Sequence, residues 1–355
     1  MTKNKLTYHK VSDIIIMYSG VHENLTKKVM NMKKKLLLVA VFALLSISLS
    51  AKETDKTEAV TESRNKVTRP WDGWHGTFGI LQETENVEGS GDKDGLYEPS
   101  VYFDLRKGKW SFGMTNYNEN HDFDYSDWTR GNYLNRLELR AHYQFTDNDK
   151  YAVGLGAALR NYQWFHKDGT SPTTTNNRWL NIQPDWRYNF TSNLSYEGWL
   201  GLYSMFNDAQ ENGYSDKELE TESGLKYKFN DFISVRLNYY LDRGWNLGGP
   251  TENSFNNQQI RGYVPMNFAF FGEKTTTITP YFRQGFINKS WNAGANQANN
   301  EIDTRLGLRI DQQLPAGFAV SLEYAYEMRN QQDSAPGQKS FSKFHYTGVG
   351  LSYSF

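Results

Sequence analysis

Residues 136–145 alternate without a break: Leu137, Leu139, Ala141, Tyr143 and Phe145 share one face, and Arg136, Glu138, Arg140, His142 and Gln144 share the other. A strict period of two is that of a β-strand with unlike faces. So many charges could not be turned into a dry core without a large desolvation cost. The segment therefore suits a wall with an apolar medium on one side and water on the other.

The pattern recurs along the chain. Phe78 and Ile80 oppose His75, Thr77, Glu83 and Glu85, and Pro99, Val101, Phe103 and Leu105 oppose Glu98, Ser100, Tyr102 and Asp104. Val235, Leu237, Tyr239 and Leu241 oppose Arg236, Asn238, Tyr240 and Asp242, and Val320, Leu322, Tyr324 and Tyr326 oppose Ser321, Glu323, Ala325 and Glu327. Short turn signals fall at Lys107-Gly108, 146–149, 191–193, Asn230-Asp231, Gly272-Glu273 and 315–317. Between them lie longer polar stretches near 87–95, 120–131, 166–177, 207–217, 244–256, 288–301 and 330–342. Six short and seven long connections join fourteen strands. A lectin-like double-layer β protein shares the alternation, but its core could not hold the charged face.

Composition agrees with a barrel in lipid. Aromatics make up 15% of the chain, with 23 Tyr and 10 Trp, yet mean hydropathy is only -0.72. Interfacial girdles use the rings, while a polar lumen keeps the average low. Met32-Lys33-Lys34-Lys35, the apolar run 36–49 and then Ser50-Ala51 read as a secretory signal peptide over residues 32–51. The run is too short for a spanning helix, which takes about 20 residues. Residues 1–31 are expected to reflect a misassigned upstream start, 52–70 a flexible periplasmic leader, and 71–355 a transmembrane β-barrel. Removing residues 1–51 takes away eight Lys and two acids, so 39 basic and 40 acidic residues become 31 and 38, a net charge of -7. That acidic balance excludes a nucleic-acid partner. Cysteine is absent, which excludes disulfides and thiolate metal sites.

The chain ends on Val349, Leu351, Tyr353 and Phe355 alternating with Gly348, Gly350, Ser352 and Ser354. This resembles the last strand of bacterial outer-membrane barrels, whose terminal aromatic is part of the signal read by the barrel-assembly machinery. The resemblance makes Phe355 the expected assembly signal. Glu85-Asn86-Val87-Glu88-Gly89, Glu98-Pro99-Ser100-Val101-Tyr102-Phe103, His142-Tyr143-Gln144-Phe145, Pro184-Asp185-Trp186 and residues 235–241, 322–325 and 343–346 are similar to the outer-membrane protein G (OmpG) family, in order, from about Trp74 to Phe355. The resemblance implies an all-β, fourteen-stranded antiparallel transmembrane barrel with short periplasmic turns and longer extracellular loops. It further implies a monomer among outer-membrane lipid and lipopolysaccharide that passes ions and small sugars.

The expected pore-lining residues follow from the charged phase. The acids are Glu83, Glu85, Glu98, Asp104, Glu138, Asp185, Glu220, Glu222, Asp242, Glu323 and Glu327. The arginines are Arg136, Arg140, Arg160, Arg187, Arg236, Arg261, Arg283, Arg305 and Arg309. Tyr102, Tyr117, Tyr162, Tyr203 and Tyr240 share that face, either as sugar-stacking platforms or, more simply, as wall packing. The near balance of signs fits a water-filled pore for passive diffusion of small hydrophilic solutes. The alternative is a substrate-specific oligosaccharide channel, which for acidic sugars needs a strongly basic lumen. His75, His121, His142, His166 and His345 sit in no nucleophile context, and no metal-ligand cluster or cofactor motif is legible, so no enzyme is expected. The family's acid-closing gate is a pair of histidines on facing strands. Aligned here, those positions fall at Glu301 and about Gln331, and neither 288–301 nor 330–342 contains histidine.

Overall fold

In the computed structural model the described residues are 73–88, 96–121, 132–166, 173–206, 215–247, 253–271, 274–292, 297–333 and 339–355. The segments read as an upstream start, a signal peptide and a leader lie outside them. The strands are β1 (His75–Val87), β2 (Leu96–Lys107), β3 (Trp110–His121), β4 (Tyr133–Asp147), β5 (Tyr151–His166), β6 (Thr173–Asn189), β7 (Leu194–Phe206), β8 (Ser215–Lys228), β9 (Ser234–Leu247), β10 (Asn253–Tyr263), β11 (Met266–Phe271), β12 (Lys274–Asn292), β13 (Gln297–Gln313), β14 (Phe318–Asp333) and β15 (Lys339–Ser354).

Fifteen segments make fourteen staves. β10 runs along β12 as far as Tyr263 opposite Tyr281, and β11 resumes on the same strand with Met266 opposite Ile278. Pro265 has no N–H to give, so the ladder is broken there and the stave continues beyond it. Every other stave pairs antiparallel with its sequence neighbour, and β15 returns to β1. That seam runs from Thr77 opposite Ser354 to Val87 opposite Phe344. Gly76 and Phe355 then exchange two backbone hydrogen bonds of 3.0 Å, so the last residue of the chain forms the last rung.

Burial is inverted relative to a water-soluble fold. Leu139 is 50% exposed and Leu306 54%, although both lie within long strands, whereas Glu138 and Glu327 are only 6% and 4% exposed. The apolar face points outward and the polar face inward, as lipid outside and a wet interior require. Aromatic contacts rim the turn end: Trp110–Tyr143 at 4.7 Å, Tyr227–Phe229 at 4.8 Å and Phe318–Tyr353 at 4.9 Å between ring centroids. At the loop end Tyr133 stacks on Phe165 at 4.1 Å. From Tyr143 to Tyr133 along a strand tilted near 40° is about 25 Å of height, the expected apolar band of such a barrel.

Several loops expected from sequence are partly strand. β8 begins at Ser215, β9 ends at Leu247, β12 ends at Asn292, β13 begins at Gln297 and β14 runs to Asp333. Above the apolar band polar residues stand on both faces, with isolated rings such as Trp245 and Trp291, so the alternation fades from the sequence while backbone pairing continues. The turns at the other end are fixed locally. Asn148 Oδ1 accepts from the amides of Lys150 and Tyr151 at 2.9 Å, and Asn230 Oδ1 accepts likewise from Phe232 and Ile233. Gly317 closes the β13–β14 turn at φ +84°, and an added Cβ would stand 2.2 Å from the Ser354 carbonyl oxygen. Gly108, at φ +58°, has open space around it. Gly108→Ala is expected to carry only the left-handed cost of about 1–2 kcal/mol, and Gly317→Ala a clearly larger one. Urea midpoints of the refolded barrels check the order, and equal midpoints would contradict it.

Candidate functional site

All twenty residues expected on the charged face lie on the strand face opposite the exposed apolar band. Most do not project freely. They form a belt of side chains that runs from strand to strand along the inner wall. Arg140 donates to Asp104 at 2.9 Å and to Glu138 at 3.0 Å, and Arg160 also pairs with Glu138. Arg160 lies 4.6 Å from the Tyr203 ring centroid, and Tyr203 donates to Glu220 at 2.8 Å. Tyr240 donates to the other Glu220 oxygen at 2.9 Å, and Arg261 packs 3.3 Å over the Tyr240 ring. Arg261 pairs with Glu222 at 2.7 Å and donates to Gln259, which reaches Asp303 on β13 at 3.0 Å. The path thus links β2, β4, β5, β7, β8, β9, β10 and β13.

A second cluster spans β13, β14 and β1. Arg329 donates to Glu85 at 2.9 Å and pairs with Glu327, which also holds Arg305. Arg305 stands 3.8 Å from Glu85, and Glu301 lies 4.0 Å from Arg329. Bonds between staves that are not neighbours in the sheet can form only on the concave side. Arg187 pairs with Asp147, Arg236 with Glu197, and Arg309 with Asp311. Seven of the nine expected arginines are therefore ion-paired. Arg136 instead covers the Tyr117 ring at 4.6 Å, and Arg283 covers Tyr281 at 5.4 Å. Arg261, Arg283 and Arg305 sit directly across from one another on three adjacent strands, a row of three cations on the wall.

Three of the five inner-face tyrosines, Tyr117, Tyr203 and Tyr240, pack into the wall. Tyr117 donates to Glu98 at 2.6 Å with Arg136 over its face, and Tyr203 and Tyr240 are covered by Arg160 and Arg261. Such rings brace the wall and leave little face open for a sugar. His142 bonds Asp185 at 2.6 Å beside a cavity of about 720 Å³ lined by Asp104, Arg140, Arg187, Glu197, Glu222 and Arg236 among others. Glu301 and Gln331 are direct partners in the β13–β14 register. The sequence reading missed Arg329, Glu218, Glu197 and Asp303; Asp311 shares the face read for Arg305 and Arg309. Extending the odd-numbered face of β14 by one more step beyond Glu327 would have found Arg329.

A closed barrel with an apolar exterior and a charged, polar interior is an outer-membrane channel. The family model for outer membrane protein G (OmpG) matches residues 71–353. Outer membrane porin G of Escherichia coli (strain K12) is 40% identical over 287 residues, covering 79% of this chain and 91% of that protein. Among solved structures, the TodX monoaromatic hydrocarbon channel deltaS2 mutant (TM-score 0.47, 8% identity, 79% of this chain and 89% of that one) and the CymD monoaromatic hydrocarbon channel (0.45, 12%, 80% and 88%) are similarities too distant to bear on solutes. The chain belongs to the OmpG family, and it forms a channel for passive diffusion of small solutes across the bacterial outer membrane.

Among the described residues Arg329 meets three carboxylates, those of Glu85, Glu301 and Glu327. Arg329→Gln is expected to leave Glu85, Glu301 and Glu327 under-compensated and to raise the cation-over-anion permeability ratio about twofold, screening over roughly 8 Å limiting the effect. Reversal potentials across a salt gradient measure it, and an unchanged ratio would contradict it.

Proposed function

We propose that the chain is a monomeric general-diffusion pore for ions and mono- to small oligosaccharides, lined by the twenty charged residues named above. The observation that carries this reading is the pairing of arginine with carboxylate along the wall: a lumen so compensated has no continuous track for either sign of solute. Eleven expected acids against nine arginines, and a mature chain of net negative charge, support a slight cation preference. No catalytic step is assigned to the barrel. Phe355 is assigned as an assembly signal for the barrel-assembly machinery, with residues 32–51 as a signal peptide and 52–70 as a periplasmic leader.

The row Arg261, Arg283 and Arg305 favours a second reading, a channel specific for acidic oligosaccharides. Liposome swelling with neutral and anionic sugars of matched size separates the two. The general pore is expected to pass neutral sugars at least as fast as anionic ones, whereas faster entry of the anionic sugar would favour the second reading.

The positions equivalent to the family's histidine gate are assigned to Glu301 and Gln331. This pair gains no positive charge on acidification, whereas two imidazoles would do so near pH 6.5. Single channels are therefore expected to stay open from about pH 7 to about pH 5.5, through the range in which a histidine pair would have switched. Reversible closure at the lower value would show that another group runs a gate.

A further inference from the structure

The outward face of β8, β9, β10 and β12 changes character at its extracellular end. Leu219, Leu241 and Ile287 close the apolar band there, and above them stand Lys217, Arg243 and Lys289, all exposed. Arg243 and Lys289 both sit opposite Asn256, one from each side, and Lys217 sits opposite Trp245. Adjacent strands lie about 4.8 Å apart, which puts the Arg243 and Lys289 backbones about 10 Å apart. Lys217 is a diagonal neighbour of Arg243 at roughly 7–8 Å. Trp245 and Trp291 flank Ser254 one step higher, so two indoles rim the basic triangle.

None of the three cations forms an ion pair with a described carboxylate, and no acid stands on the outward face of these four strand ends among the described residues. The far side of the rim is built otherwise. There the outward Lys343 and His345 lie 3.6 and 4.0 Å from Glu88, so the Lys343 ammonium has a counter-charge within the protein. Uncompensated cations at the upper edge of a lipid-facing surface have one natural counter-charge, the phosphates of the outer leaflet. A zwitterionic headgroup brings its own ammonium and would be better matched by a mixed patch. Three cations without an acid match a lipid carrying more than one phosphate, and sugar rings suit the flanking indoles and the amide of Asn256.

We propose that Lys217, Arg243 and Lys289 form a docking site for the phosphorylated glucosamine headgroup of lipopolysaccharide, its lipid A moiety. The proposal rests on the outer-membrane location but not on the pore reading, because all three side chains point away from the lumen.

The test is titration of the folded, detergent-solubilised barrel, in the presence of a chelator, followed by tryptophan emission. The probes are diphosphorylated lipid A, the same lipid dephosphorylated, and phosphatidylglycerol. Diphosphorylated lipid A is expected to bind at least tenfold more tightly than either of the others. The Lys217→Gln/Arg243→Gln/Lys289→Gln variant is expected to lose at least tenfold in that affinity, while Lys343→Gln keeps it. Heat-modifiability and single-channel conductance of the triple variant should equal the parent's, which separates failure of this site from failure of the pore. Undiminished lipid A affinity in the triple variant would overturn the proposal. So would equal binding of phosphatidylglycerol, which would assign the triangle to phospholipid. Should the triple variant not fold, the parent's own preference for the diphosphorylated over the dephosphorylated lipid decides, and its absence overturns the site.

Discussion

Backbone hydrogen bonding in hydrocarbon is the constraint from which this structure follows. An N–H or C=O left unpaired in lipid costs several kcal/mol, so a sheet in the membrane must have no edge. The seam between β1 and β15 satisfies that demand, and it does so down to the final residue, where Phe355 and Gly76 exchange two bonds. Once the sheet is closed, period-two alternation leaves no choice about faces. Leu137 and Leu139 must meet lipid, and Arg136, Glu138 and Arg140 must meet the interior.

Closure then sets the chemistry of the interior. Charges crowded on a concave wall are partly removed from water, and each must find a partner or remain costly. The belt from Asp104 to Asp303 and the cluster around Arg329 answer this with arginines shared between carboxylates and laid over tyrosine rings. The guanidinium suits both tasks, being planar and permanently charged. The same side chains that brace the wall face the interior, so a substitution there is expected to alter selectivity and wall order together.

Much of this was legible in the sequence because membrane barrels write both faces plainly. The strand phase and the inward orientation of all twenty charged residues follow from alternation, and five of the short turns follow from their Asn, Asp, Gly and Pro signals, while Gly272-Glu273 lies outside the described residues. What alternation could not convey is pairing across strands. That Glu138 lies between Arg140 and Arg160, or that Glu85 meets Arg305 and Arg329 from the far end of the chain, depends on register and curvature. The upper ends of β8, β9, β12, β13 and β14 were also hidden, since polar residues on both faces look like loop. Lys217 and Lys289 sit in those stretches, whereas Arg243 and Arg329 lie just before them, one step past the last alternating positions read from the sequence.

The central claim is that the charged face of each stave borders water inside the barrel and the apolar face borders lipid. The absence of cysteine makes the direct measurement a clean one: single cysteines at Arg136, Arg140 and His142, and at Leu137, Leu139 and Ala141, treated with a charged, membrane-impermeant thiol reagent during single-channel recording. The account predicts a stepwise change of current for the three even-numbered positions and none for the three odd-numbered ones. Modification of the odd set with a change of current, or silence at all six, would contradict it.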